Sequence, residues 1–413
     1  MLQNMEKEQE MDKNDHRVIG KELDLFTFSE LVGSGLPLWT PKGTILREEL
    51  DKFVWELRVK YGYERVTIPH ITKRELYEKS GHWEKFREDL FKFTSREGKE
   101  YALKPMSCPH HTQIFNRKPQ SYREMPHRYA ETTMVYRDEQ SGELGGLTRV
   151  LSITQDDAHV FCRHNQVKEE FLKIWDIVDT FYKTFGFSLK VRLSFRDPKE
   201  QKKYLGTKEI WDKAEKELLK IAEERRANYF EEPGEAALYG PKLDFMAKNS
   251  VGREWQVATI QLDMNLPERF DLTCVNEKGE KERITMIHAA ITGSLERCIA
   301  ILIEHYEGNF PLWLSPVQVK VIPVRENHNE YAKKVFELLK ENNIRAGFDD
   351  ADLNLGTKVR NAKNNKIPYW IVIGDKEIEA KKVTLESRDK GQLDQISKEE
   401  LISKFLEEIK NKK

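Results

Sequence analysis

Residues 154–161 read TQDDAHVF. The apolar flanks predict a strand, and along a strand successive side chains point to opposite faces. One face then carries Ile153, Gln155, Asp157 and His159, and the other carries Thr154, Asp156, Ala158 and Val160. The first face can line a polar cavity. An acid two residues from an imidazole fits a metal site, a general-base pair, a ligand-ammonium site beside a metal, or a structural hydrogen-bond network. The same parity places Arg137 and Glu139 on one face of MVYRDEQSG, and Arg149 follows on the returning strand. Arginine forks pair bidentately with phosphate oxygens and stay charged, so these residues suit either a polyphosphate or a cross-strand salt bridge. Cys108 sits in KPMSCPHH with His110 and His111 beside it. A lone cysteine is usually a small buried hydrophobe. Neither CxxC nor HxxxH occurs, so a metal site would have to be assembled from distant segments.

Elements must carry these side chains to one place. From about residue 44, Leu46, Leu50, Phe53 and Leu57 share one helical face before Gly62 ends the helix. ERVTIPHI then predicts a strand with Pro69 near its far end. A second helix covers about 166–185, with Phe171, Ile174, Val178 and Phe181 at helical spacing and Gly186 closing it. Short strand-like runs between 120 and 161 are punctuated by SGELGG, and further runs lie at 238–247, 254–264 and 283–290. The segment 293–308 predicts a buried helix, apolar through its middle. This order predicts an α+β fold, an antiparallel sheet with flanking helices. After PLWLSP (311–316), strands VQVKVIPV, IRAGFDD, IPYWIVIGD and KKVTLES alternate with helices near 329–342, 356–365 and 397–411, a smaller α/β unit. The expected organisation is a polar tail at 1–15, an α+β domain at 16–312 and an α/β domain at 313–413.

Composition narrows the setting. The chain has 413 residues, 34% of them charged, and a formal net charge of −1, so no global basic field advertises nucleic acid. No apolar run approaches the ~20 residues needed to cross a bilayer. The start, MLQNMEKEQEMDKND, is acidic and polar, unlike a secretory signal or a transit peptide. Four cysteines without a paired spacing fit a reducing cytosol.

Seven motifs then fall in a recognisable order: KPMSCP, SYREMPHRYAE, YRDEQSGELGGLTRV, TQDDAHVFC, ALYGPKLDF, WQVATIQLD and MIHAAITGSLERCIAILIEHYEG. The chain from about residue 16 resembles the class II catalytic core and anticodon-binding domain of the threonyl-tRNA synthetases. The resemblance implies zinc held by Cys108, His159 and His288, with threonine's amino and hydroxyl groups on the metal. It implies that Asp157 accepts from the threonine ammonium while Gln155 helps orient it, and that Tyr239, Gln261 and Ser294 complete the pocket. Arg137 would contact the α-phosphate of ATP and Arg297 the triphosphate and adenine. Glu139, Arg149, Gln256 and Thr259 would position the nucleotide, with Lys242 near the phosphates and Mg²⁺ assisting. Arg360, Glu377 and Arg388 would meet the anticodon of tRNA(Thr). A cytoplasmic homodimer through the 44–72 helix and strand is also implied. So is a short form without the N-terminal and editing domains of larger members, which would not clear serine in cis.

Several positions depart from the family pattern. Ile153 stands where a phenylalanine stacks on adenine, preceded by Leu151 and Ser152 in place of arginine and glycine. His110 replaces a glycine, Ala289 an arginine, and Thr292 a larger apolar residue. Ala351, Asp352, Leu353 and Asn354 replace an arginine-asparagine-glutamate-lysine run, and Glu386 stands where arginine is common. Two further readings accommodate these changes: a paralogue that activates threonine or a related amino acid for another acceptor, or a catalytically silent RNA-binding or regulatory protein on the same fold.

Overall fold

The computed structural model describes residues 12–86, 88–248 and 252–413. The expected tail lies outside the described residues up to residue 11; Asp15 already belongs to the fold, capping the helix His16–Glu22 through the Arg17 backbone N–H.

Two compact units divide the chain, one built from Gly33–Leu36 and Asp51–Cys298, the other from the segments up to Val32, Pro37–Leu50 and Ile299–Lys413. The first holds an eight-stranded sheet. In chain order its strands are β1 (Glu64–Arg65), β2 (His127–Tyr136), β3 (Ser152–Cys162), β4 (Leu189–Phe195), β5 (Tyr229–Pro233), β6 (Lys242–Lys248), β7 (Glu254–Asp263) and β8 (Thr285–Ser294). Spatially they run β5-β4-β6-β7-β8-β3-β2-β1, antiparallel throughout except for the parallel end pairs β5/β4 and β1/β2. Helix Val167–Thr184 packs its apolar stripe of Phe171, Ile174, Val178 and Phe181 in the core, all buried. The architecture is therefore the α+β sheet with flanking helices that the pattern predicts.

The second unit holds a five-stranded sheet. Parallel strands at its start (Val319–Pro323, Ala346–Phe348, Tyr369–Ile373) give way to antiparallel ones at its end (Val383–Ser387, Gly391–Ile396). Helices Asn329–Glu341 and Lys398–Lys410 cover its core of Val321, Leu339, Ile371, Leu385, Leu401 and Phe405.

Strand ERVTIPHI is mostly not a strand. Only Glu64 and Arg65 pair with β2, and Ile71–Lys73 joins a separate three-stranded sheet. Pro69 has no N–H for a ladder, and the Ile68 N–H goes instead to the Glu131 carboxylate at 3.3 Å. The runs between 120 and 161 also resolve into two strands longer than expected, β2 and β3, of 10 and 11 residues.

Asp156 shows what the back face of β3 is for. Its carboxylate accepts from Ile291 N at 2.7 Å, Thr292 N at 3.0 Å and Thr292 Oγ1 at 2.8 Å, and lies 3.0 Å from Arg58. These bonds clamp a bulge in β8 where register shifts between Ala290 and Ser294. Burial raises the Asp156 carboxyl above its ordinary range, and Arg58 opposes that rise. Asp156→Ala would leave the buried Arg58 without its counter-charge, holding only the residue-156 carbonyl, and two N–H groups without their acceptor. The expected destabilisation is about 3–5 kcal/mol, measured by urea unfolding.

Candidate active site

The sheet register gathers the chemistry. Lys242 on β6 lies beside Gln261 on β7, Gln261 beside His288 on β8, and His288 beside His159 on β3. One step along, Asp244, Thr259, Ala290, Asp157 and Glu131 form the next row across five strands. Gln155 faces Ser294 across the bulge. Gly293 turns that bulge at φ +65°, and a Cβ there would lie 3.3 Å from the Val257 carbonyl oxygen, so glycine suits both backbone and space.

Cys108 enters from the start of helix Cys108–Phe115. One ligand atom each of Cys108, His159 and His288 lie within 4.8 Å of one another, all three residues buried. Nε2 of His159 and Nδ1 of His288 face each other at 3.1 Å. Two bare imidazole nitrogens pointed together repel unless a proton or a cation lies between them, and a thiol beside them completes a soft-and-borderline donor set suited to zinc. The outer nitrogens are tied off: His288 Nε2 to Asp263 Oδ2 at 2.8 Å, and His159 Nδ1 to His111 Nδ1 at 2.8 Å. Burial pushes the His159 imidazolium far down, leaving the neutral ring that ligation needs, and pushes the Cys108 thiol up in the absence of a cation. The chemistry of these three residues fits a zinc ion.

Asp157 stands beside this centre. Its Oδ1 lies 3.7 Å from His159 Nε2, and its Oδ2 accepts from Ser107 N at 3.3 Å. Tyr239 lays its ring over His288 at 4.4 Å and 15°, and its hydroxyl donates to Gln261 Oε1 at 2.6 Å.

A polar cleft of about 390 Å³ opens along the same face of the sheet. Arg137, Glu139, Arg149, Gln256, Thr259 and Arg297 all line it, as do Gln155, Gln261 and Ser294. Arg137, Glu139 and Arg149 lie not on the strands, as their alternation predicts, but in the connection between Tyr136 at the end of β2 and Ser152 at the start of β3; there Arg149, not Arg137, pairs with Glu139 at 2.5 Å. Arg137 Nε is buried without a hydrogen-bond partner among the described residues. Arg297 Nε donates to the Thr148 carbonyl at 3.1 Å; burial, then Arg137 and Arg149, lower its pKa. Converging guanidiniums with one carboxylate among them make a site for an anion of several charges. Ile153 lines the same cleft. Lys242 lies outside this lining, its Nζ 3.1 Å from the fully buried Asp244 carboxylate.

Residues 91–306 match the model of the tRNA synthetase class II core domain (G, H, P, S and T), and residues 318–408 match the anticodon binding domain. A crystal structure of the RNA binding domain of threonyl-tRNA synthetase from Cryptosporidium parvum superposes with a TM-score of 0.91 at 38% identity, over 95% of this chain and 98% of that one. The chain belongs to the threonyl-tRNA synthetase family. Threonine–tRNA ligases of Cytophaga hutchinsonii and Deinococcus radiodurans are each 48% identical to it, over 97% and 98% of this chain. The chain spans 63% of the length of each of those relatives.

As a threonyl-tRNA synthetase family member the chain treats its expected anticodon residues unevenly. Arg360 is exposed on helix Leu355–Asn364. Glu377 accepts from Gly374 N and Thr384 Oγ1 at its own helix start. Arg388 spends its guanidinium on the carbonyls of Phe310 and Lys366 and on Asp389. Glu386 accepts from the Trp370 indole at 2.8 Å. Residues that the motifs did not single out are Asp263 and Glu131. Both share strand parity with site residues, Asp263 with Gln261 on β7 and Glu131 as the neighbour of Asp157, and that parity is the signal that would have found them.

Proposed function

We propose that this chain activates threonine with ATP, using zinc to select the amino acid, and transfers the threonyl group to the 3′ end of tRNA(Thr). The observation that carries the reading is the gathering at one sheet face of two groups: His159, His288 and Asp157 on the strands with Cys108 brought in by its helix, and beside them a cleft of three arginines. Asp157 receives the threonine ammonium, and Gln155, Tyr239, Gln261 and Ser294 bound the remainder of the pocket. Arg137 and Arg297 hold ATP so that the threonine carboxylate attacks the α-phosphorus in line and pyrophosphate leaves; Glu139, Arg149, Gln256 and Thr259 fix the nucleotide, and Lys242 is held nearby by Asp244. Mg²⁺ arrives with ATP. Positioning and charge stabilisation supply the rate. Zinc on its three side chains would offer threonine's amino and hydroxyl groups a position that valine's methyl cannot fill.

Exposed Val59, Ile71 and Met134, on and beside the 44–72 segment, support a homodimer formed there. Among the described residues no helix is long and apolar enough to cross a membrane, and we place the enzyme in the cytoplasm. We further propose that this chain does not clear serine from tRNA(Thr). A second reading, transfer to an acceptor other than tRNA(Thr), draws on Glu386, whose carboxylate is fixed by Trp370 where a phosphate contact would want a cation.

Amino-acid-dependent ATP–pyrophosphate exchange with threonine, serine and valine tests the proposal. Exchange is expected with threonine, more weakly with serine, which lacks one methyl worth about 1–3 kcal/mol, and not with valine. Exchange with none of the three by folded, zinc-loaded protein would overturn it. Charging of tRNA(Thr) after positive exchange separates the two acceptor readings, and seryl-tRNA incubated with the chain should stay intact.

A further inference from the structure

We infer that His111, backed by Glu131 and Lys104, is a positioning residue that selects the ligating tautomer of His159 and so sets how tightly the three-ligand centre holds its metal. The inference rests on the metal reading above.

Proton bookkeeping carries it. His159 shows Nε2 to the centre and Nδ1 to His111 Nδ1 at 2.8 Å. A neutral imidazole carries one proton. For His159 Nε2 to keep its lone pair for a metal, the proton must sit on Nδ1, and among the described residues the acceptor offered there is Nδ1 of His111. His111 must then carry its own proton on Nε2. That nitrogen lies 3.6 Å from Glu131 Oε1. Both atoms are buried and have no hydrogen-bond partner among the described residues, so each has the other to turn to. Lys104 Nζ stands 3.7 Å from the same carboxylate oxygen and donates to Thr133 Oγ1 at 2.6 Å. The Ile68 N–H donates to the other carboxylate oxygen.

Each proton in this chain thus has one place to go, from His159 to His111 to Glu131, with the Lys104 ammonium balancing the buried carboxylate. Lys104 and His111 are 0% exposed and Glu131 6%, so no solvent competes for these groups. The opposite assignment fails. A proton on His111 Nδ1 would face the one on His159 Nδ1, and His159 could relieve the clash only by moving its proton to Nε2, the atom the metal needs. His288 is held more simply, by Asp263 directly. The two histidines therefore carry different supports, a carboxylate for one and a relayed carboxylate for the other. A hydrogen-bonded partner on the far nitrogen of a ligand histidine fixes its tautomer and raises its basicity.

The test is zinc affinity, measured by competition with a chromophoric chelator on the full chain, with thermal unfolding followed in parallel. His111→Phe keeps a ring but removes the acceptor, and a loss of about 10–100-fold in affinity is expected. His111→Asn returns an oxygen to the place of Nδ1 and should recover most of that loss, which a merely space-filling role would not produce. The visible bands of the cobalt-substituted protein should shift in the Phe variant and return in the Asn variant. Wild-type affinity in folded His111→Phe, or an Asn variant as weak as Phe, would overturn the inference while leaving the zinc centre standing. If His111→Phe does not fold, Glu131→Gln decides: weaker zinc supports the relay and unchanged zinc overturns it. Wild-type protein that binds no zinc would remove the metal reading itself, and this inference with it.

Discussion

Arg137→Ala is expected to lower threonine-dependent pyrophosphate exchange by roughly 10²–10³-fold, the usual consequence of losing one donor aimed at developing charge. The protein should remain as stable as before. Both halves follow from the same geometry. Arg137 has a buried Nε with no hydrogen-bond partner among the described residues, so removing the side chain breaks no hydrogen bond among them at that atom. Its charge also opposes that of Arg297, whose pKa is lowered by burial and then by Arg137 and Arg149. Without ATP the cleft holds converging cations with Glu139 already spent on Arg149. Taking one cation away relieves repulsion in the free protein and removes attraction in the bound one, the pattern expected where function is maintained against stability. Arg137→Lys should recover only part of the rate, because an ammonium keeps the charge and loses the fork. Steady-state exchange at varied ATP, with thermal unfolding alongside, measures both quantities. Undiminished exchange in Arg137→Ala would remove Arg137 from the phosphate site, and a large fall in melting temperature would show it to be structural instead.

How much of this was legible beforehand differs residue by residue. Period-2 alternation in TQDDAHVF separates Asp157 and His159 from Asp156, and the structure sends them to opposite faces, one to the site and one to the β8 clamp. Alternation says nothing about register. That His159 meets His288, and His288 meets Gln261, depends on which residues pair across three strands far apart in sequence. The resemblance supplied those partners, not the spacing. Support residues were harder still. His111 stands out only as a histidine near a cysteine until β3 is laid beside helix Cys108–Phe115, and Asp263 acquires meaning only when its strand is placed next to His288. Local pattern failed at ERVTIPHI, where β-branched residues outweigh Pro69 in a propensity reading but cannot supply the missing N–H. Helix Lys208–Glu224 keeps Trp211, Leu218 and Ile221 buried on one face, yet its many charges dilute the stripe when read along the chain.

Cys108→Ser should bring the chain's bound zinc from about one ion to near none and collapse the preference for threonine over valine. The expected magnitude comes from what the hydroxyl is worth. A site built to engage a substrate hydroxyl rejects the analogue lacking it by roughly 10⁴–10⁵. If that engagement runs through the centre of Cys108, His159 and His288, its loss lowers threonine's kcat/KM toward valine's by about the same factor, with valine little changed. Serine should fall with threonine, since both lose the same contact. The variant should fold, because serine is close to cysteine in size and the three-residue cluster sits on a sheet clamped independently by Asp156. It does leave His159 and His288 facing each other at close range with no cation, so one ring must keep a proton between them. Metal analysis after gel filtration, together with exchange on threonine, serine and valine, reads the result directly. Retained discrimination in zinc-free protein would mean that Asp157, Tyr239 and Gln261 read the side chain by themselves, and the centre would then be structural rather than selective.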